Sequence, residues 1–346
     1  MAMSHEAQPA RVHVKSDWRG CSIAFLFRSS HHKFISRKLL FPRPAARRSI
    51  MSTPSGRSTS YPLEHLAEMT EDQRLDINHA LYKAGTNGKL ILAPIDFDHR
   101  DLRVLDSGTH HGHWLEDVWL KHLHGRDDVT LVGTDINRSL FPKCRFRNTR
   151  LYEQDINESW PVEWHASFDL VHQRLVLGAT SSPYGYYPRV AVQRLLQVVK
   201  PGGWVQLEEL SYGLEEGEYG PALRQLCMLE RALLDYARVG WKYPRDMADW
   251  VREEGFMNVE RRNVPIYLGK KAAEPEMRVK SAETDFKAAN DMIEPAKRFL
   301  YTPTPWWMSC CMSGGRHGRW KGGMSLKELE TLPQRLYDEL LELVEL

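Results

Sequence analysis

From about residue 61 to residue 270, the chain alternates short apolar runs of strand length with stretches in which apolar residues recur at helical spacing. The strand-like runs are residues 103–106, 129–135, 150–153, 168–172 and 204–210, and helical spacing lies between them at 113–122 and 189–199. This alternation predicts an α/β fold with a doubly wound, mostly parallel sheet. Because right-handed crossovers place the carboxyl ends of all parallel strands at one edge, we expect the ligand site there.

The regions around this alternating core have the pattern of helical additions. Residues 61–100 form a lead-in to the first strand, residues 212–245 a helical cap over the substrate, and residues 271–346 a C-terminal helical extension. The apolar stretch 259–268 has the pattern of a further strand. Residues 301–323 are rich in Pro, Trp, Cys and Gly without periodicity, which indicates either a loop or lid, or a segment that is not genuine coding sequence.

The first 60 residues differ in composition from the rest of the chain. Between Arg11 and Ser60 the one acidic residue is Asp17, while Arg, Lys, Ser and His are frequent. A basic, acid-poor start is typical of a mitochondrial presequence, but it also suits a disordered leader or a misassigned start with translation beginning at Met51. We therefore exclude residues 1–60 from the fold.

Net charge, the length of apolar runs and the cysteine count indicate which partners and which cell compartment to expect. A net charge of +2 gives no reason to expect a nucleic-acid partner. No apolar run reaches the roughly 20 residues of a membrane span. The five scattered cysteines indicate a reducing compartment without a disulfide framework. We expect a cytoplasmic protein, with a mitochondrial location as the alternative if the leader is a presequence and a nuclear location if the protein is a regulator.

The most informative segment is the one that follows the first strand. Residues 104–114 read VLDSGTHHGHW, an apolar run that ends in Asp-x-Gly-x-x-x-Gly and leads into a helix. This is the pattern of a buried parallel strand followed by a tight loop that approaches a nucleotide-like ligand. Gly108 and Gly112 allow the sharp turn and the close approach. The spacing departs from the G-x-G-x-x-G of dinucleotide sites, which makes a nicotinamide oxidoreductase the least favoured reading.

Acidic residues at strand ends indicate which ligand binds. Asp135 ends the second strand, where a carboxylate suits ribose hydroxyls, and Asp106 at the first strand end suits a cationic group. Asp155 after the third strand suits the exocyclic amine of adenine, with Ile156 packing on the ring. The structural alternatives are helix caps for Asp106 and Asp135 and an ordinary polar turn for Asp155. An adenosine with a positively charged tail, S-adenosylmethionine, is the predicted cofactor.

At this point the chain resembles a known family, the class I, Rossmann-like methyltransferases that use S-adenosylmethionine. Within that family it is similar to the fungal secondary-metabolism group related to the regulator LaeA. The resemblance covers roughly residues 61–268. Besides the glycine loop, the motifs that carry it, in order, are EDQRLDINH at 71–79, GKLILAPI at 88–95, GTDI at 133–136, FDLVHQR at 168–174 and VKPGGW at 199–204.

The resemblance implies a seven-stranded sheet and a methyl transfer to a small molecule or peptide, with nitrogen or sulfur favoured over oxygen as the acceptor. Its implied cofactor contacts are Asp106, Gly108, Gly112, Asp135 and Asp155, and we predict further contacts from Thr109, Ile136 and Ile156 beside them. The chain departs from the family at His110 and His111, where a glycine or small residue is usual. This departure leaves a second hypothesis open, a regulator or scaffold that keeps the fold, has a protein partner and uses the cofactor weakly.

The remaining candidates are less specific. His172 follows the fourth strand and is predicted either to deprotonate or orient the acceptor, or to be a structural histidine beneath the site. Tyr184, Tyr186 and Tyr187 are expected to wall the substrate pocket or contact a sulfonium, with surface aromatics as the alternative. The loop histidines are read as solvated side chains rather than metal ligands, because no Cys or acidic partner lies at helical ligand spacing. No metal is therefore expected.

Overall fold

Five parallel strands, in the order β3-β2-β1-β4-β5, form the centre of the protein. The computed structural model describes residues 69–142, 148–180, 188–212, 220–301 and 324–342. The strands are β1 (Arg103–Ser107), β2 (Thr130–Asp135), β3 (Thr149–Glu153), β4 (Phe168–Arg174) and β5 (Val199–Glu208). The strand order reverses between β1 and β4, so the crevice that binds ligands in sheets of this kind opens at the carboxyl ends of these two strands.

The side-chain alternation of the strands builds two apolar layers. Val104, Leu131 and Leu170 face helix α2 (His113–Val118), which a π-helical turn extends to Leu123. The next residue of each of these strands points to the opposite face of the sheet, where it packs with helix α3 (Pro188–Leu196). A sheet covered on both faces explains why these strands read as nearly continuous apolar runs in the sequence.

The other helices form a third apolar cluster beside the sheet. They are α1 (Glu71–Gly85), α4 (Pro221–Tyr236), α5 (Tyr243–Glu253), α6 (Pro275–Ala296) and α7 (Leu326–Glu342). Helix α1 begins at a capping box between Thr70 and Gln73. It contacts α2 at the loop side of the sheet and α6 in the helical cluster. Helix α6 packs on α7, and α7 packs on α4, so the predicted substrate cap and the predicted C-terminal extension share one core.

The seven-stranded sheet expected from the sequence is wrong for the residues that the structure describes, which contain five strands. The stretch 259–268, which has the apolar pattern of a strand, forms no strand and pairs with none of the five. Its Ile266 and Leu268 are buried among the helices instead. The backbone of Gly85 at the end of α1 approaches Ile266 so closely that a Cβ there would lie 3.1 Å from Cδ1. Burial against helices therefore produced the alternation that resembled a strand.

A carboxylate of α7 fixes the start of α4. Glu339 accepts hydrogen bonds from the backbone N–H groups of Ala222, at 2.7 Å, and Leu223, at 3.0 Å. These are two of the N–H groups that lack a partner within the helix itself. Gly220 precedes α4, and a Cβ there would lie 2.1 Å from the Glu339 carboxyl carbon. The C-terminal helix thus supplies the N-terminal cap of α4.

No helix in the described part of the chain is both long enough and apolar enough to cross a bilayer.

Candidate functional site

The glycine loop turns away from β1 with three residues in the left-handed region of backbone space. Their φ angles are 74° at Gly108, 52° at His110 and 83° at Gly112. At Gly108 a Cβ would lie 2.3 Å from Cγ2 of Val176, so a side chain there would displace the segment that follows β4. Around Gly112 nothing lies within 4 Å of a Cβ position. The loop therefore needs glycine at Gly108 for space and leaves open room beside Gly112.

The loop is seated on the neighbouring strand through Thr109. The Thr109 N–H donates to the Thr134 carbonyl at 2.7 Å, which continues the hydrogen bonding between β1 and β2 into the loop. Gly133 on β2 makes room for this contact, since a Cβ there would lie 2.8 Å from the Thr109 methyl group and 2.6 Å from Leu151. Thr109 is thus a buried packing residue of the loop.

Asp135 lies beside the loop at the carboxyl end of β2. Its Oδ2 accepts from the His110 N–H at 3.1 Å, and its Oδ1 accepts from the Asn137 N–H at 2.9 Å. These two bonds hold the carboxylate in a fixed orientation at the sheet edge, where the sequence predicts a ribose contact. Ile136 follows with 41% of its surface exposed, which leaves an apolar face for a ring to pack on.

Asp155 and Ile156 follow β3 at the same edge. The Oδ1 atom of Asp155 accepts from the backbone N–H of Asn157 at 2.8 Å and from its side-chain amide at 2.9 Å. This is the geometry of an Asx turn, the structural alternative that the sequence offered. Ile156 is 8% exposed, so it presents far less surface to a ligand than Ile136 does. The cofactor roles of both residues stay predictions.

Asp106 and His172 form a buried pair beneath the loop. His172 Nδ1 lies 2.7 Å from Asp106 Oδ1, and its Nε2 lies 3.5 Å from Glu208 Oε1. The ring stacks on Trp114 with centroids 3.8 Å apart. Burial lowers the pKa of His172, but the hydrogen bond to Asp106 and the nearby Glu208 carboxylate outweigh it, so the pKa is raised. Burial likewise raises the pKa of Glu208, but the nearby His172 and Arg174 outweigh it and lower the pKa to about 2.

This arrangement argues against the predicted acid–base role of His172. The side chain is 1% exposed, and both ring nitrogens face carboxylates of β1 and β5. A histidine that removes a proton from a substrate has to reach that substrate. The geometry matches the alternative, a structural histidine beneath the site. It also turns Asp106 toward β4, so the carboxylate that was expected to meet a cationic ligand group already pairs with the His172 imidazole.

The polar network continues to helix α1. Arg174 Nη2 lies 2.8 Å from Nδ1 of His79, and His79 Nε2 lies 2.9 Å from Oδ2 of Asp117 on α2. Burial and the nearby Arg174 lower the pKa of His79 to about 4. The ring is therefore neutral at pH 7, accepts from Arg174 and donates to Asp117. Arg174 Nη1 also lies 3.8 Å from Glu208, which joins this chain of contacts to the buried pair.

Glu209 is a residue of this edge that the sequence reading missed. Its Oε1 accepts from the N–H groups of Val176 and Leu177 at 3.0 and 2.9 Å, and its Oε2 accepts from the Tyr243 hydroxyl at 2.9 Å. Burial raises the pKa of Glu209 to about 7 despite these bonds. Val176 is also the residue that a Cβ on Gly108 would meet, so Val176 links the Glu209 carboxyl group to the glycine loop. The signal in the sequence was the acidic pair at the end of the fifth apolar run.

Two of the loop histidines, His110 and His111, are largely covered and paired, contrary to the expectation from sequence that they are solvated. The side chains of His110 and His111 are 14% and 24% exposed and face Asp72 on helix α1. His113 is half-exposed and pairs with Asp76 one turn further along that helix, Nδ1 to Oδ1 at 2.6 Å. The acidic partners of these three histidines come from helix α1 rather than from residues at helical spacing along the chain. The predicted substrate residues Tyr184, Tyr186 and Tyr187 lie outside the described residues.

Comparison with known proteins identifies the family. A family model described as a methyltransferase domain matches residues 76–261. The chain belongs to this methyltransferase family. It is 38% identical over 214 residues to the N-methyltransferase gliN of Aspergillus fumigatus, covering 61% of this chain and 73% of that protein. It is 40% identical to the N-methyltransferase sirN of Leptosphaeria maculans, covering 58% and 68%. It is 32% identical to the N-methyltransferase tcpN of Claviceps purpurea, covering 79% and 89%.

The cofactor of this methyltransferase is S-adenosylmethionine, and the residues at the sheet edge fit it. The Gly108 backbone packs against Val176 where a Cβ has no room, and space is open beside Gly112. Asp135 is held at the loop by backbone donors, so its carboxylate is oriented before a ligand arrives. The His110 side chain, which stands where a glycine or small residue is usual, points to Asp72 on α1, while its N–H points to Asp135.

Proposed function

We propose that this methyltransferase transfers a methyl group to a nitrogen atom of a small molecule or peptide of fungal secondary metabolism. The observation that carries the proposal is the likeness to gliN and sirN, both named N-methyltransferases, at 38% and 40% identity. The sequence alone favoured nitrogen or sulfur over oxygen without separating the first two. Membership of the LaeA-related group is a finer part of the same proposal.

Bound S-adenosylmethionine supplies a methyl group on a sulfonium, which an amine attacks directly while the thioether leaves. The protein has to align the acceptor and exclude water rather than provide strong base catalysis. An acceptor nitrogen that loses its proton readily needs no dedicated base. The burial of His172, which cannot reach a substrate, is therefore compatible with nitrogen methylation.

We assign the alignment of the cofactor to the loop residues and to Asp135. Asp135 would accept hydrogen bonds from the ribose hydroxyls, and the exposed Ile136 would pack against the adenine ring. The loop backbone keeps the left-handed conformations at Gly108 and Gly112 although His110 replaces the usual small residue. Because the His110 side chain is directed to α1, the substitution adds no side chain on the Asp135 side of the loop. This geometry favours the enzyme over the inactive scaffold.

The test is transfer of a deuterated methyl group from S-adenosylmethionine by the full-length chain. The acceptors are matched peptides and heterocycles that carry a free N–H, a thiol or a hydroxyl group, and mass spectrometry locates the label. We expect label on nitrogen, and loss of the product in Asp135→Ala. The exposed Asp98 precedes β1, so Asp98→Ala is a matched control with unchanged turnover. Label on sulfur or oxygen alone would contradict nitrogen methylation, and cofactor binding without any product across the panel would favour the scaffold.

The expected cytoplasmic location is part of this proposal. Fluorescence imaging of the full chain, compared with a chain that starts at Met51, tests it. Diffuse cytoplasmic signal from both agrees with the proposal. Mitochondrial signal that requires residues 1–50 would replace it with the presequence reading, and nuclear signal would favour a regulator.

A further inference from the structure

Helix α1 brings one carboxylate to two consecutive histidines of the cofactor loop. Asp72 Oδ1 lies 2.9 Å from His111 Nε2 and 3.4 Å from His110 Nε2. One ligand atom from each of the three residues lies within 4.8 Å of the other two. The two rings meet edge to face with centroids 4.1 Å apart. Two imidazole nitrogens and a carboxylate oxygen thus converge on one small volume.

These separations suit a tetrahedral metal ion. With metal–nitrogen and metal–oxygen bonds of about 2.0–2.1 Å, neighbouring ligand atoms of a tetrahedron lie about 3.3 Å apart. The two measured nitrogen–oxygen separations, 2.9 and 3.4 Å, lie on either side of that value. Asp72 is half-exposed, so solvent reaches the volume and a water molecule has access as a fourth ligand.

The hydrogen bond at Nδ1 of His111 fixes the tautomer of the neutral ring and so determines that Nε2 presents a lone pair to Asp72. His111 Nδ1 is hydrogen-bonded to the carbonyl oxygen of Leu140. A carbonyl only accepts, so Nδ1 carries the hydrogen and the lone pair of the neutral ring is on Nε2. That lone pair faces the Asp72 carboxylate at 2.9 Å, and two acceptors at this distance need a cation between them, either a proton or a metal ion. A backbone carbonyl on the far nitrogen is the usual support of a metal-ligating histidine.

The loop backbone explains how two adjacent residues point to the same helix. His110 has φ 52°, a left-handed conformation that turns the chain between the two side chains. The same residue donates its N–H to Asp135 Oδ2, so the backbone on one side holds Asp135 while the side chain on the other faces Asp72. By contrast, His113 and Asp76 form a simple pair of one histidine and one carboxylate.

We propose that Asp72, His110 and His111 bind a divalent first-row transition ion, zinc by the chemistry of the donor set, with water as the fourth ligand. Bound metal joins helix α1 to the cofactor loop and holds the loop in the conformation in which His110 N–H bonds Asp135. The metal ligands lie on the helix side of the loop and take no part in the methyl-transfer step itself. The site does not depend on which acceptor atom is methylated.

The test is a titration of the full-length, chelator-treated chain with Zn²⁺ by calorimetry, repeated with Co²⁺ to record the visible absorption of a tetrahedral ion. We expect one strong site in the wild type. Loss of a ligand should weaken that site by at least about 100-fold in Asp72→Asn and in His111→Gln, more than the 10–100-fold typical of losing an outer-shell partner. Asp76→Asn is the matched control, with the same substitution one turn along α1, and it should bind as the wild type does.

Two outcomes would overturn the proposal. Equal Zn²⁺ affinity in all four proteins would place the metal elsewhere in the chain. Absence of a strong site in the wild type would mean that a proton occupies the gap and that the three residues form an ordinary ion pair. Circular dichroism and thermal unfolding of the metal-free proteins show whether each variant is folded. Zn²⁺ should then raise the Tm of the wild type and of Asp76→Asn but not that of the other two variants.

Discussion

Individual buried carboxyl and imidazole groups at the ends of β4 and β5 determine how the site responds to pH and to substitution. Glu209 and His79 have pKa values displaced in opposite directions, to about 7 and about 4. Burial is the largest cause in both, since it disfavours the charged form of an acid and of a base alike. His172 differs because the flanking carboxylates of Asp106 and Glu208 raise its pKa against the effect of burial. Each of these residues therefore gives a distinct experimental signature.

Glu209→Gln should change the pH dependence of stability. Burial raises the pKa of Glu209 from 4.5 to about 7, so its stabilising contribution is complete below pH 4.5 and is lost as the pH rises through 7. Glutamine stays neutral at every pH. We expect the variant to be more stable than the wild type at pH 8, by at most about 3 kcal/mol, and to gain no such advantage at pH 4.5. Urea unfolding at both pH values measures this, and an equal difference at the two would contradict the assignment.

His172→Gln separates a positioning role from a catalytic one. The variant leaves the carboxylates of Asp106 and Glu208 buried without the imidazole that lies between them, and removing one partner of a buried polar pair costs about 3–5 kcal/mol. We expect a marked fall in the free energy of unfolding. Under conditions where the variant is folded, we expect it to bind the cofactor with the affinity of the wild type. Chemical unfolding and calorimetry supply the two measurements. A variant of normal stability that binds the cofactor but no longer turns over would restore the catalytic interpretation.

At the scale of elements, the sequence pattern predicts most strands and helices but not how they dock. The runs at 103–106 and 168–172 correspond to β1 and β4, because strands covered on both faces are continuously apolar. β5 begins at Val199 rather than Trp204, because Pro201, Gly202 and Gly203 lie within this strand, whose pairing with β4 contains a register shift. The segment 259–268 was misread because periodicity records burial and not the partner that provides it. For the same reason the sequence did not show that Asp72 contacts His110. Asp72 lies 38 positions earlier in the chain, and the packing of α1 brings the two together.

Gly108→Ala tests the close approach of the loop to the segment after β4. The added methyl group meets Val176 Cγ2 at 2.3 Å in addition to the cost of a positive φ. Gly125→Ala is the matched control, with φ 84° and nothing within 4 Å. Both variants should lose about 1 kcal/mol from the backbone conformation. We expect a weaker affinity for S-adenosylmethionine in Gly108→Ala alone, by at least tenfold in calorimetry, and equal affinities in the two variants would show that the approach to Val176 is unimportant.

Glu339→Ala tests the docking of α7 on α4. The substitution leaves the N–H groups of Ala222 and Leu223 without their acceptor, which should cost about 1–2 kcal/mol. Glu342→Ala, on an exposed position of the same helix, should be within about 0.5 kcal/mol of the wild type. Hydrogen exchange should quicken in the first turn of α4 before it does elsewhere. Unchanged exchange at Ala222 and Leu223 would show that the helix starts without this carboxylate.

At the scale of the whole molecule, the methyltransferase sheet and the helices around it share the cofactor edge. Helix α1 contacts the loop through Asp72 and the β4 end through His79, while α5 reaches Glu209 through Tyr243. The family match ends at residue 261, yet α6 and α7 beyond it pack against α1 and α4. The edge thus combines parts of the sheet with surrounding helices. The sequence predicts the loop and the acidic residues at the strand ends, whereas the helix contacts depend on tertiary packing.

The most direct test of cofactor use at this edge is calorimetric titration of the full-length chain with S-adenosylmethionine and S-adenosylhomocysteine, alongside Asp135→Ala and the control Asp98→Ala. The loop and Asp135 should give the wild type and Asp98→Ala micromolar binding of both ligands. Asp135→Ala, folded as judged by circular dichroism, should bind at least about 100-fold more weakly, the loss expected when a charged acceptor of two ribose hydroxyls is removed. Absence of binding by folded wild type, or equal binding by Asp135→Ala, would contradict a cofactor site built on this loop.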